Sequence, residues 1–230
     1  MEFIGYTALI DAIIALVAFG VLYSRKAKMA EVSSKANALS SYLMATTLFL
    51  FLISATLLKT AGATQQWMFI ISDLVLWVSL IMFIKMMYVG MENASSKNMV
   101  LWIFYILAAM RTLWQLAGVF AVDLSFLSTN MLFALSKLDA WLMYIVWIPS
   151  AIYFIWIALS SDSSVVRSRS LMFAIGLLLI TFTWAFRFLL PSPVEESVGY
   201  TLISIASIVG FMLLLGGVFY RGGKQMATAS

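Results

Sequence analysis

The sequence predicts an all-α integral membrane bundle of seven transmembrane helices, with the N-terminus outside and the C-terminus in the cytoplasm. Three observations predict it. Of 230 residues, 63% are hydrophobic and only 10% charged, too little charge to cover a soluble domain of that size. The apolar residues gather into seven separate stretches, each long enough to cross a hydrocarbon layer that takes about 20 helical residues. The basic residues between the stretches fall mainly on one side.

The stretches cover residues 4–23, 39–59, 66–90, 99–121, 130–159, 170–190 and 198–220, and residues 1–230 read as a single seven-helix domain. The first begins almost at Met1 without a basic leader or a small-x-small cleavage site, so it is expected to be a retained helix. Turn and loop residues mark the breaks: Arg25 to Asn37, Ala61 to Gln66, Glu92 to Asn98, Asp123 to Thr129, Ser160 to Ser168, and Pro191-Ser192-Pro193 to Ser197. The fifth stretch exceeds what a crossing needs, which predicts a tilt or an extension into the cytoplasm.

Loop charge sets the orientation. Arg25, Lys26, Lys28 and Lys35 lie in the first loop, Lys97 in the third, Arg167 and Arg169 in the fifth, and Arg221 and Lys224 in the tail. The other side has only Lys59 between its helices, so the positive-inside rule places the N-terminus outside. Glu2, Asp123, Glu195 and Glu196 all fall on that outer side. The expected location is therefore a cell membrane, crossed several times, with the lipid bilayer as the main partner.

The chain has no cysteine and no histidine, which removes disulfides, thiolate chemistry, histidine-ligated haem and the usual zinc sites. Its net charge of +4 sits in loops beside apolar spans, so nucleic acid is not an expected partner. A weak internal similarity is present: Leu43-Met44 opens the second helix as Leu171-Met172 opens the sixth, and Ile71-Ser72 and Ile203-Ser204 recur in the third and seventh. Such a three-plus-one-plus-three pattern occurs in parallel-repeat transporters, although these dipeptides also recur by chance in a chain rich in Leu and Met.

Ionisable groups at membrane depth cost about 3 kcal/mol on insertion scales, so they face the bundle interior and take partners. At about 1.5 Å per residue, Asp11 and Asp73 lie roughly 10 Å below the outer boundary. Lys137 and Asp139 are expected at similar depth, Arg111 nearer the middle, and Arg187 close to the outer surface. The inner half has only Lys85, near enough to the headgroups to snorkel.

This one-sided charge predicts either an outward-facing polar cavity, with Asp73 and Arg111 its most buried charges, or an ion-pair network that locks helices together. Arg111 and Gln115 share one face of the fourth helix, as Asp73 and Trp77 share one of the third. Lys137 and Asp139, two apart, are about 200° apart around a regular helix, so both cannot point into one cavity. Trp102, Trp114, Trp141, Trp147, Trp156 and Trp184 offer either an aromatic ligand box or, more ordinarily, interfacial anchors. Pro149 removes a backbone donor inside the fifth helix and predicts a kink. Gly210, Gly216 and Gly217 allow close helix approach in the seventh.

With seven helices, an outer N-terminus and short loops, the chain resembles the microbial (type I) rhodopsin superfamily. Asp73 lies at the level where that family places its counterion carboxylate, and Ser207-Ile208-Val209-Gly210-Phe211 is similar to the stretch in which the retinal-binding lysine precedes Val-Gly-Phe. The lysine position holds Ile208, so the resemblance implies no retinal Schiff base, and no cofactor is expected. Ser204 occupies the family's helix-seven carboxylate position, and Ile70 that of the arginine one turn before the helix-three carboxylate. The likeness extends to the seven-helix sensor regions found ahead of histidine kinases.

Three functions follow as expectations. The first is an opsin-like sensor or binding protein without covalent retinal, taking a small ligand or ion in an outer cavity of Asp11, Asp73, Trp77, Arg111, Gln115, Lys137, Asp139 and Arg187. Lacking a cytoplasmic effector, it would need a cytoplasmic or membrane partner chain. The second is a transporter or channel for a small ion or solute, the proton included. The third is a structural subunit of a membrane complex. An intramembrane enzyme is not expected, because Asp11 and Asp73 have no sequence context that separates them from network members.

Overall fold

A computed structural model describes residues 2–26, 34–87, 94–185 and 198–220. The helices are α1 (Glu2–Lys26), α2 (Ser34–Lys59), α3 (Gly62–Met87), α4 (Ala94–Val119), α5 (Thr129–Ser136), α6 (Leu138–Ser160), α7 (Ser164–Ile180) and α8 (Val198–Phe219). A π-helical turn, Thr181–Ala185, continues α7. All but the short α5 are long and apolar enough to cross a membrane, which makes seven crossings and a multi-pass membrane protein. The surface agrees: Leu113, Trp102, Ile152, Leu159 and Phe182 are all more than half exposed, as side chains facing lipid are.

The connections are short where they are described. Gly62, in the left-handed region at φ 59°, makes the tight turn between α2 and α3. Ser128 caps α5 and Ser163 caps α7, each accepting from a backbone N–H three residues on. In the α4–α5 connection the Ser125 N–H donates to Asp123 at 2.9 Å, which holds that exposed carboxyl below the usual range.

The fifth apolar stretch is two helices rather than one tilted helix. Lys137, at φ −108° and ψ 7°, ends α5 and precedes α6, and α6 alone suffices to cross the membrane. The excess length therefore forms a separate helix of about two turns at the α4 end of the stretch. Asp139 falls in the first turn of α6, where the partial positive charge of a helix start favours a carboxylate. Pro149 lies inside α6, removing the donor that the Ile145 carbonyl would otherwise meet.

Packing divides the bundle three-plus-one-plus-three. α2 sits between α1 and α3, and α7 sits between α6 and α8. The two trios meet along α1 and α8 over a broad seam and along α3 and α6 over a narrow one. α4 leans on α3 and touches α5. Only 6% of its apolar span is buried, against 33–56% for the other spans, so α4 lies almost wholly outside the trios. The interior is filled by Leu50, Trp77, Leu80, Phe83, Met143 and Leu177.

Within the second trio, α7 and α8 cross at glycines. A Cβ on Gly176 would stand 2.8 Å from the Gly210 carbonyl oxygen, and one on Gly210 would meet Ile180 at 2.9 Å. Gly217 lies against Phe173, whereas Gly216 makes only ordinary contact with Met172. The end of α8 is held from outside: Arg25 of α1 donates to the Val218 and Phe219 carbonyls, and Arg169 of α7 to that of Gly217 at 2.9 Å. Guanidinium groups thus satisfy carbonyls that a helix end leaves unpaired. Arg25 and Arg169, read from the sequence as loop charges, are part of helices.

Candidate functional site: an ionic cluster between α3, α4 and α6

Four of the residues singled out in the sequence meet. Arg111 Nε donates to Asp139 Oδ2 at 2.7 Å, and Nη2 reaches Asp73 Oδ2 at 3.3 Å. Its remaining arm, Nη1, donates to the Leu135 carbonyl at 3.2 Å. Gln115 Nε2, one turn along α4 from Arg111, donates to the same Asp73 oxygen. The side chains of Arg111, Asp73 and Asp139 are 11%, 15% and 5% exposed, so the cluster is largely withdrawn from the surface. Trp114 covers the guanidinium, with Arg111 Cζ 4.7 Å from its ring centre.

The helix break and the cluster explain each other. In an unbroken helix the Leu135 carbonyl would accept from the Asp139 N–H. Lys137 leaves helical geometry although its own N–H still reaches back to Phe133 and Ala134 of α5, and Arg111 takes the carbonyl of Leu135. A cation at the C-terminal end of α5 also meets the negative end of the helix dipole. The break brings Asp139 to the guanidinium and leaves Lys137 at the junction, which is the divergence expected of two residues so spaced.

Trp77 lies on the cluster's inner side. It is 2% exposed, packs edge-on against Phe104 of α4 at 6.5 Å, and has its indole beside the Asp139 carboxyl. Its N–H nevertheless makes no well-formed hydrogen bond, and neither does Gln115 Oε1 or Asp139 Oδ1.

Asp11 is elsewhere. It is fully buried on α1 and accepts a 2.5 Å hydrogen bond from Ser207 Oγ of α8, across the broad seam. The sequence-based cavity therefore separates into two polar centres, one at each seam between the trios. Lys137 is half-buried at the α5–α6 junction. Arg187 and the side chain of Trp184 lie outside the described residues.

Among the described residues the tryptophans do not form a ligand box. Trp102, Trp141 and Trp156 are at least half exposed on the lipid-facing surface, while Trp147 is buried. The positions that carry the rhodopsin resemblance are also placed: Ile70 and Ser204 are buried, and Ile208 is half-buried on α8. Sequence reasoning missed Ser207 as the partner of Asp11, the Leu135 carbonyl as a ligand of Arg111, and a buried hydroxyl pair, Thr46 with Ser79, at 2.7 Å between α2 and α3. Only the placing of Trp114 over Arg111 had a local signal, the three-residue spacing on a helix. The chain matches no protein-family model, and no curated protein or solved structure is significantly similar to it.

Proposed function

We propose that the chain is a sensor of the cell membrane, opsin-like in layout, that has its N-terminus outside and reads a small ligand or ion at the ionic cluster. One observation carries this reading: α4, barely packed against the rest, sends Arg111 into the bundle to join α3, the end of α5 and the start of α6. Anything that competes for the guanidinium or for either carboxylate changes what holds α4. A helix so loosely packed can then shift along its length and present a different cytoplasmic end to a partner chain.

Arg111→Gln tests the coupling. The natural chain has no cysteine, so a single cysteine at Asn98, exposed near the far end of α4, reports that end alone. In lipid vesicles its rate of alkylation is expected to change several-fold when Arg111→Gln is added. An unchanged rate in a folded variant would remove the sensor reading.

The resemblance to microbial rhodopsins enters through layout and Asp73, and Ile208 leaves no site for the family's Schiff base. Adding retinal to the purified protein should produce no visible band. A band abolished by Lys137→Ala would instead reveal an unusual attachment.

A second reading, a pathway for protons or another small ion, is favoured by the buried Thr46–Ser79 pair. Ser79 lies six residues, about 9 Å, further along α3 than Asp73, which extends polar groups beyond the cluster. Vesicle acidification that falls with Asp73→Asn would put this reading first.

A further inference from the structure

Six of the described helices close a ring, in the order α1, α2, α3, α6, α7 and α8, with α4 outside it against α3. The first helix of each trio meets the third of the other: α1 packs on α8, and α6 on α3. An aspartate stands at each of these seams. Asp11 of α1 accepts from Ser207 of α8, and Asp139 of α6 is joined to Asp73 of α3 through Arg111.

The same pairing runs through the sequence. Asp11-Ala12 and Asp139-Ala140 lie 128 residues apart, which is also the separation of Leu43-Met44 in α2 from Leu171-Met172 in α7. Ile71-Ser72 in α3 and Ile203-Ser204 in α8 are 132 apart, so the later trio has only four extra residues, placed between its second and third helices. Burial supplies what the dipeptides lack. Over residues 11–20 and 139–148, no position buried in one helix is exposed at its counterpart in the other. Asp11, Ala12 and Ala15 turn inward as Asp139, Ala140 and Met143 do, and Ile13 and Val17 face out as Trp141 and Ile145 do. An aspartate at membrane depth is costly, so its presence at one register and on one inward face of both helices is more than the recurrence of common apolar residues.

The number of crossings accounts for α4. Three crossings leave a chain on the side opposite its start, so a second unit of the same orientation needs one more. α4 is that crossing, and it lies outside the ring with little of its span buried. Two units joined in this way are related by an axis along the membrane normal.

Matched positions also account for the unequal seams. Ala15 and Ala18, one and two turns from Asp11 on the same face, let α1 come close to α8, whereas Met143 and Val146 occupy those places on α6. Packing inside each trio is more extensive than at either seam, and α7 and α8 interlock at Gly176 and Gly210.

We propose that α1–α3 and α6–α8 are two copies of one three-helix unit and rock against each other as rigid bodies about the α1–α8 seam, with Arg111 holding the α3–α6 seam shut. Tight packing within units and looser packing between them is the pattern of hinge motion. The proposal goes beyond the sensor reading and does not depend on it, since it concerns the trios rather than what α4 presents to a partner.

Distances between spin labels in the full chain, in lipid vesicles, test it. Ile13→Cys in α1, Ile71→Cys in α3, Trp141→Cys in α6 and Ile203→Cys in α8 fall at matched positions that are at least partly exposed, in a chain with no cysteine of its own. Introduced in pairs and read by pulsed electron paramagnetic resonance, the two distances within units, 13 to 71 and 141 to 203, should match each other and stay fixed when Arg111→Gln is added. The distance across the narrow seam, 71 to 141, should lengthen by several ångströms, and that across the hinge, 13 to 203, by much less. Mismatched distances within the units overturn the duplication. Distances within units that shift with Arg111→Gln, or a narrow-seam distance that does not, overturn the rocking. If Arg111→Gln fails to fold, Arg111→Lys, which keeps the charge but cannot span both acids, should give a smaller shift of the same kind, and no shift again overturns it. The sensor reading fails separately, on the Asn98 label: a narrow-seam shift with that label indifferent keeps the rocking units and removes the sensor.

Discussion

Arg111 holds Asp73 and Asp139 on one edge of its guanidinium, at 3.3 and 2.7 Å, and so ties α3 to α6 through a helix that belongs to neither trio. Removing one partner of a buried pair leaves uncompensated charge and typically costs about 3 kcal/mol. Arg111→Gln is expected to lower stability by about that much in detergent unfolding. Arg111→Lys should restore only part of it, because an ammonium cannot span both acids and the Leu135 carbonyl with a planar fork.

At the opposite seam, Ser207→Ala removes the hydroxyl that donates to Asp11. Interhelical hydrogen bonds in membranes average less than 2 kcal/mol, so a loss of about 1 kcal/mol is expected. Combined with Arg111→Gln, the two effects should add, since they act at different seams. Unfolding curves of the single and double variants measure this.

Gly176→Ala drives a methyl group into the Gly210 carbonyl and Leu214. Overpacking of this kind costs about 2 kcal/mol. Gly20→Ala is the control: nothing lies within 4 Å of the added carbon, and the better helix propensity of alanine should leave stability equal or up to about 1 kcal/mol higher. The same unfolding assay separates them.

Orientation is open to a direct labelling experiment. Single cysteines at Phe126, in the α4–α5 connection, and at Asp162, between α6 and α7, lie in exposed segments at opposite ends of the bundle. In intact cells an impermeant maleimide should reach position 126 and miss position 162. The reverse pattern would invert the proposed topology.

Arg169→Ala should loosen the end of α8 by stripping the cap from the Gly217 carbonyl. About 1 kcal/mol is expected, with faster amide exchange confined to the last turn of α8. Exchange spreading over the whole helix would show that the cap also holds α7 against α8.

Much of this was legible in the residues. Uncompensated polar groups are so costly in hydrocarbon that Asp73 and Arg111 had to face inward, and the four-residue step from Arg111 to Gln115 puts both on the face that closes on Asp73. The seven crossings are legible for the same reason. The break at Lys137 is not, because Leu135-Ser136-Lys137-Leu138-Asp139 contains neither glycine nor proline. The carbonyl that the break frees, that of Leu135, is taken by an Arg111 arm from another helix, which no local pattern encodes. Nor could spacing assign Ser207 to Asp11, 196 positions away, or single out Gly176, which makes sense only opposite Gly210.

The two seams are unequal, and that inequality sets where the molecule can yield. Like a book bound along α1 and α8, it has a spine that resists parting and a fore-edge at α3 and α6 that a single clasp keeps shut. Any motion that parts α3 from α6 must therefore work against that clasp, and the helix bearing it is the span with the smallest share of its length buried against the rest.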